Sequence, residues 1–186
     1  MSLLTPMLRS SPLTDWFSDA QRVQGMLDFE AALAQAQAAC GMVPPEAVGP
    51  IVAACRHEAI DFAALGEAAV GAGNLAIPLV KQLTAQVKTR DPEAARYVHW
   101  GATSQDAIDT GLVLQLRGAL DAAETLLEQL LAALALQADR YRDTVMPGRT
   151  WMQHALPVTF GLKLAGTLDA LLRWQQRLRE MRPRLL

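Results

Sequence analysis

The 186 residues are 51% hydrophobic and 5% aromatic, enough to bury a core of one domain or one and a half. With 17 basic and 19 acidic residues the formal charge is −2, which argues against a nucleic-acid surface. No apolar run approaches the ~20 residues of a membrane span, and an N terminus bearing Pro6, Asp15 and Asp19 does not read as a signal peptide, so a cytoplasmic protein is expected. Ala and Leu dominate while β-branched residues are sparse, and that balance points to an all-α fold. Cys40 and Cys55 have no His or Cys at metal spacing and are expected to be buried, reduced thiols. Neither a metal nor a cofactor is implied.

In chain order, residues 1–17 read as an irregular arm. Ser18 can cap a helix with Gln21 at its third position, and Val23, Met26, Leu27, Leu33 and Ala34 then share one face. Gly41 ends that helix, and Pro44-Pro45 serves as linker or first turn of the next. Glu46 to about His57 and Asp61 to Val70 read as short helices. Gly71-Ala72-Gly73-Asn74 is a break, and Pro78 stands near the start of a helix ending around Lys88. Asp91-Pro92-Glu93 supplies a cap, a first-turn proline and a first-turn acid.

From Ser104 to about Arg142 no proline interrupts a helical leucine pattern at 112, 116, 120, 127, 130, 131 and 134. At about 1.5 Å per residue such a helix is roughly 55–60 Å long. Gly111 and Gly118 on one of its faces favour close approach of another backbone. Met146-Pro147-Gly148 is expected to be the hairpin, with a second long helix from near Ala155 to about Met181. The expected division is a helical domain over 1–102 and the first part of a long-helix bundle over 103–186. Two such helices cannot cover their own apolar sides, so the chain reads as a fragment that self-associates.

Two polar clusters carry the candidate chemistry. At the first, Thr103 can cap the long helix with Asp106 as a returning acid, and a helix start flanked by hydroxyls suits a carboxylate or phosphate. The second, residues 148–161, sits where the hairpin re-enters a helix. Antiparallel packing would leave the two clusters tens of ångströms apart within one chain, so they would share a site only through other subunits.

His99-Trp100-Gly101-Ala102-Thr103-Ser104-Gln105-Asp106, followed by G-R-T-W-M-Q-H-A-L-P-V-T-F-G, resembles two of the three signature regions of the fumarase/aspartase superfamily. The resemblance covers essentially the whole chain. It implies a homotetramer built on a long-helix bundle, with each active site assembled from three subunits. Thr103 and Ser104 would hold a substrate carboxylate and His99 would orient or charge-balance another. Thr150, Trp151 and Gln153 would contact substrate from a neighbouring subunit, with His154 as the candidate catalytic residue. Asn74 falls where relatives place a substrate-binding loop. The third region, the mobile loop with the catalytic serine, is not in this sequence, so the chain alone should turn over little.

One departure is informative. Lyases of the superfamily usually read G-x-T-H where this chain has Trp151. Expulsion of an amine needs a proton donor. A carboxylate of pKa about 4 leaves without one. That favours the cycloisomerase branch, which interconverts a carboxymuconate and its lactone without cofactor in protocatechuate (β-ketoadipate) catabolism, and G-N-L-A-I-P-L-V-K-Q-L resembles that branch too. A small tricarboxylate is the implied substrate. An adenylosuccinate-type lyase and a non-catalytic helical assembly module remain open alternatives. So do plainer readings: Thr103-Ser104 as a simple cap, His99 bonding a helix-end carbonyl, His154 and Trp151 as core, His57 as structural.

Overall fold

The computed structural model describes residues 11–186. The expected arm therefore lies outside the described residues over its first ten positions, and its remainder is not irregular: Asp15–Phe17 forms a 3-10 turn. Six α-helices and one two-stranded ribbon make up the described chain. They are α1 (Asp19–Ala39), α2 (Pro45–Ala54), α3 (Phe62–Ala72), α4 (Ala76–Arg90), α5 (Ser104–Arg140), β1 (Val145–Thr150), β2 (Gln153–Thr159) and α6 (Phe160–Leu185). The mostly-α class expected from composition is the class observed. Backbone contacts gather the chain into two compact units, Met1–Gly118 and Ala119–Leu186.

In the first unit the punctuation acts as the sequence suggests. The Ser18 hydroxyl accepts from the Gln21 N–H at 3.3 Å. Gly41, at φ 72°, closes α1 with its N–H on the Ala38 carbonyl and that of Met42 on the Gln37 carbonyl, the paired bonds of a Schellman end. Asp61 caps α3 through Ala64 at 3.0 Å. The Asp91 carboxylate accepts from both Glu93 and Ala94 at 3.0 Å and starts a 3-10 turn over Ala94–Tyr97. The core lies among α1, α2, α4 and the start of α5, with Leu27, Ile51, Leu79, Leu83 and Val87 at 0–1% exposure. Such burial is worth about 1.5–3 kcal/mol per large side chain.

Gly111 meets the expectation of close backbone approach. A Cβ built on Gly25 would stand 2.8 Å from the Gly111 carbonyl oxygen, so α1 and α5 touch backbone to backbone there. Gly118 instead makes room for the Trp16 indole. The Trp16 carbonyl accepts from buried Gln115 at 2.7 Å, which ties the 3-10 turn to α5. Cys55 is buried as expected, and burial pushes its thiol up to about 12. Cys40 corrects the expectation: it sits exposed at the end of α1.

In the second unit α6 runs antiparallel to the adjoining part of α5. Arg182 pairs with Asp121 and with Glu124, while at the other end Gly161 lies against Ala138 and Arg142. The Tyr141 and Phe160 rings stand 5.2 Å apart, centre to centre. Here the sequence reading needs correction. The connection is not a tight hairpin at Met146–Gly148, and the second long helix does not start near Ala155. Residues 145–159 form a β-ribbon in which Pro147 faces Pro157, and α6 starts only at Phe160, capped by the Thr159 hydroxyl on the Leu162 N–H at 3.2 Å. Both strands of a lone ribbon are edges, so their prolines cost no interior ladder bond. Val145, Val158, Thr150 and Thr159 supply the β-branching that a helix start near 155 overlooked.

Candidate functional site

The first cluster lies wholly in the first unit. His99, at φ 57°, and Gly101, at φ 70°, turn the chain left-handed before α5 begins. Histidine tolerates that region better than most side chains. The Thr103 N–H is satisfied by the Asp106 carboxylate at 2.9 Å, the returning half of a capping box. Among the described residues neither the Thr103 nor the Ser104 hydroxyl has a protein partner, so both remain available at a helix N-terminus where partial positive charge gathers. Thr103 is exposed and Ser104 half-buried. That arrangement can receive a carboxylate through two hydroxyls and free N–H groups.

His99 is not the carbonyl-bonded histidine of the plainer reading. Its Nδ1 stands 2.6 Å from Oε1 of Glu30, a residue of α1 only 2% exposed. Burial pushes the Glu30 carboxyl up, and the charge and hydrogen bond of His99 pull it part of the way back. Sequence reasoning missed Glu30 altogether. The available signal was an acid on the apolar stripe of α1, between Leu27 and Ala34. His57 keeps its structural reading: its Nδ1 donates to Gln24 Oε1 at 3.1 Å and its backbone N–H to the same oxygen at 3.0 Å.

Asn74 serves α4 first. Its Oδ1 accepts from the Ile77 N–H at 3.1 Å, and the residue lines a cavity of about 400 Å³ with Arg22, Met26, Ile108, Leu112 and Gln115. The cavity is mostly apolar.

The second cluster lies in the second unit, on the β-ribbon. Thr150 pairs with Gln153 and Arg149 with His154, and the two-residue tip between them is Trp151-Met152. Both tip residues have positive φ, 48° and 61°, as a type I′ turn requires. Such turns ordinarily recruit Asn and Gly, because a left-handed conformation costs other L-residues about 1–2 kcal/mol each. Trp151 is 91% exposed and Met152 fully so, and His154 is exposed as well. The core readings of Trp151 and His154 are therefore overturned. At Gly148, where a Cβ would come 2.6 Å from the Leu156 carbonyl, the register of the ribbon shifts, and Arg149, Leu156, Leu162 and Lys163 line a cleft beside it. Thus Asn74, His99, Thr103 and Ser104 fall in one unit and Thr150, Trp151, Gln153 and His154 in the other. Among the described residues no three His, Cys, Asp or Glu side chains gather as a metal ion would need.

A long-helix fold that starts from short helices, with a hydroxyl-flanked helix start and a second polar cluster on an exposed ribbon, defines a class. The lyase family profile matches residues 8–186, and the chain belongs to this family, within the fumarase/aspartase superfamily. More particularly, it is 62% identical over 177 residues to the 3-carboxy-cis,cis-muconate cycloisomerase of Pseudomonas aeruginosa, covering 95% of this chain and 39% of that protein. It is 60% identical to the enzyme of the same name from Pseudomonas putida, over 90% of this chain and 40% of that one. The crystal structure of the 3-carboxy-cis,cis-muconate lactonizing enzyme from Pseudomonas putida superposes with a TM-score of 0.97 at 57% identity, covering all of this chain and 42% of its own. The chain thus spans about two-fifths of the length of the relatives it matches.

Proposed function

We propose that the full-length protein carrying this chain is a cycloisomerase that interconverts 3-carboxy-cis,cis-muconate and 4-carboxymuconolactone, in the cytoplasm and without cofactor. The observation that carries this reading is the 62% identity, over nearly the whole chain, to a cycloisomerase of that specificity. It favours lactone chemistry over the adenylosuccinate-type lyase and over a module without catalysis. In lactone formation one carboxylate oxygen adds to a carbon–carbon double bond, the displaced electron pair moves to the neighbouring carbon, and that carbon takes a proton. Overall the tricarboxylate takes up one proton from a general acid or water and becomes a dicarboxylate lactone, with no change of oxidation state. In reverse the departing group is a carboxylate, which tolerates its negative charge, so an indole at 151 in place of a proton donor is chemically coherent.

In this reading Thr103, Ser104 and the N–H groups opening α5 hold one substrate carboxylate, and His99 orients or charge-balances another. Asn74 contributes from the start of α4. Thr150, Trp151, Gln153 and His154 reach the same substrate from a neighbouring subunit of a homotetramer, where a strained and solvent-exposed tip would find its partner surface. The division at 102/103, between a short-helix domain that brings Asn74 and His99 and long helices that open on Thr103 and Ser104 and assemble, belongs to the same proposal.

The test is direct. Full-length protein should consume 3-carboxy-cis,cis-muconate, followed by loss of its ultraviolet absorbance, and leave adenylosuccinate intact. Thr103→Ala, Ser104→Ala and Gln153→Ala should each cut kcat/KM by about tenfold to a thousandfold, the range for loss of a donor to developing charge. Turnover of adenylosuccinate alone, or three silent substitutions, would refute the reading.

A further inference from the structure

Two polar side chains on one stripe of α1, Glu30 and Gln37, grip successive residues of the turn that precedes α5. Glu30 meets the His99 ring at 2.6 Å, and Gln37 donates through Nε2 to the Trp100 carbonyl at 2.7 Å. Neither residue belongs to the motifs that carry the family resemblance. A buried carboxylate is costly, and packing alone would be served by leucine at position 30. Nor does Glu30 anchor a wider network: its second oxygen, Oε2, is buried without a partner among the described residues. Its hydrogen bonds come from His99, through the backbone N–H and the imidazole, and the imidazole contact at 2.6 Å is slightly shorter than the about 2.7–2.9 Å usual for a charge-assisted N–H···O contact.

We propose that Glu30 is the positioning residue of His99: it accepts the Nδ1 proton, fixes the tautomer and rotation of the ring, and leaves Nε2 as the nitrogen offered to a substrate carboxylate beside Thr103 and Ser104. No described residue bonds Nε2, and the side chain keeps 17% exposure, so that nitrogen is left for a ligand. The second nitrogen of a working histidine is ordinarily committed in this way, and its partner decides which proton the ring carries. When the ring is protonated, Nε2–H can donate to a bound carboxylate while Glu30 balances the charge. The chemical class of that ligand rests on the cycloisomerase reading; the pairing itself does not.

Two measurements test it. Nitrogen-15 spectra of this chain, which has only His57, His99 and His154 to resolve, should show the His99 proton on Nδ1 with a strongly low-field resonance. His99→Gln assigns that signal, and Glu30→Gln should move it upfield. A proton on Nε2 alone in the wild-type chain would overturn the proposal without any variant needing to fold. In full-length protein, Glu30→Gln should lower kcat/KM by about 10–100-fold, yet add nothing in a His99→Gln background. Glu30→Asp, which keeps the charge, should recover part of the loss. Independent, multiplying losses, or a Glu30→Gln protein with unchanged kcat/KM, would overturn it. If wild-type full-length protein leaves 3-carboxy-cis,cis-muconate untouched, the functional reading falls and the spectra alone decide the role of Glu30.

Discussion

Trp151 and Met152 hold left-handed backbone at an exposed tip, where each gains nothing from burial in this chain. The conformation costs about 1–2 kcal/mol per residue. Met152→Gly removes that cost at one position, while the greater freedom of glycine in the unfolded chain takes back about 0.5–1 kcal/mol. A net gain of about 0.5–1 kcal/mol is expected, seen as a higher urea midpoint for the chain. A lower midpoint would mean that the Met152 side chain contributes contacts its full exposure denies. Glu30 belongs to the same scale. Strain at the tip and a buried acid behind an imidazole are both local costs, and both stand next to residues that the superfamily motifs single out.

At the scale of elements, α1 and α5 make their closest approach through two glycines, Gly25 and Gly111. Gly25→Ala would drive a methyl to 2.8 Å from the Gly111 carbonyl oxygen, a backbone atom that cannot swing aside. A loss of about 1–3 kcal/mol is expected, the usual cost of overfilling a packed contact. Gly66→Ala is the matched control: nothing lies within 4 Å of its Cβ position inside α3, so the helix should gain about 0.5–1 kcal/mol. Denaturant titration of both variants checks the pair, and equal effects would contradict the close approach. The helices themselves were legible, because Ser18, Gly41, Asp61, Gly73 and Asp91 each mark an end by local chemistry. The ribbon was not. Its two strands each carry a proline and few alternating residues, so a helix with proline in its first turn fits residues 155–159 just as well until the pairing of Pro147 with Pro157 decides between them.

At the scale of the whole molecule, the second unit keeps much of its apolar surface in water. Leu126, Leu130, Leu136, Leu162, Leu172 and Trp174 are each 43–68% exposed, whereas Leu131 alone of the expected stripe is buried. Exposed apolar surface on this scale marks an association face. The chain should therefore sediment as a concentration-dependent oligomer, and Leu130→Glu together with Leu172→Glu should shift it toward monomer. A monomer at every concentration would contradict this. No described helix is long and apolar enough to cross a membrane.

By itself the sequence determined the helical class, nearly every helix end in the first unit, and the two signature clusters, because periodicity, caps and motif spacing are all properties of neighbouring residues. Only the tertiary structure decided that Glu30 lies against His99, that Gly25 meets Gly111, and that Trp151 points into solvent from a ribbon. These are meetings between residues distant in the chain, or a choice between two locally acceptable backbones. No local preference distinguishes an acid on a helix stripe that will be buried against an imidazole from one that will face water; the burial that makes the difference exists only once the helices have packed.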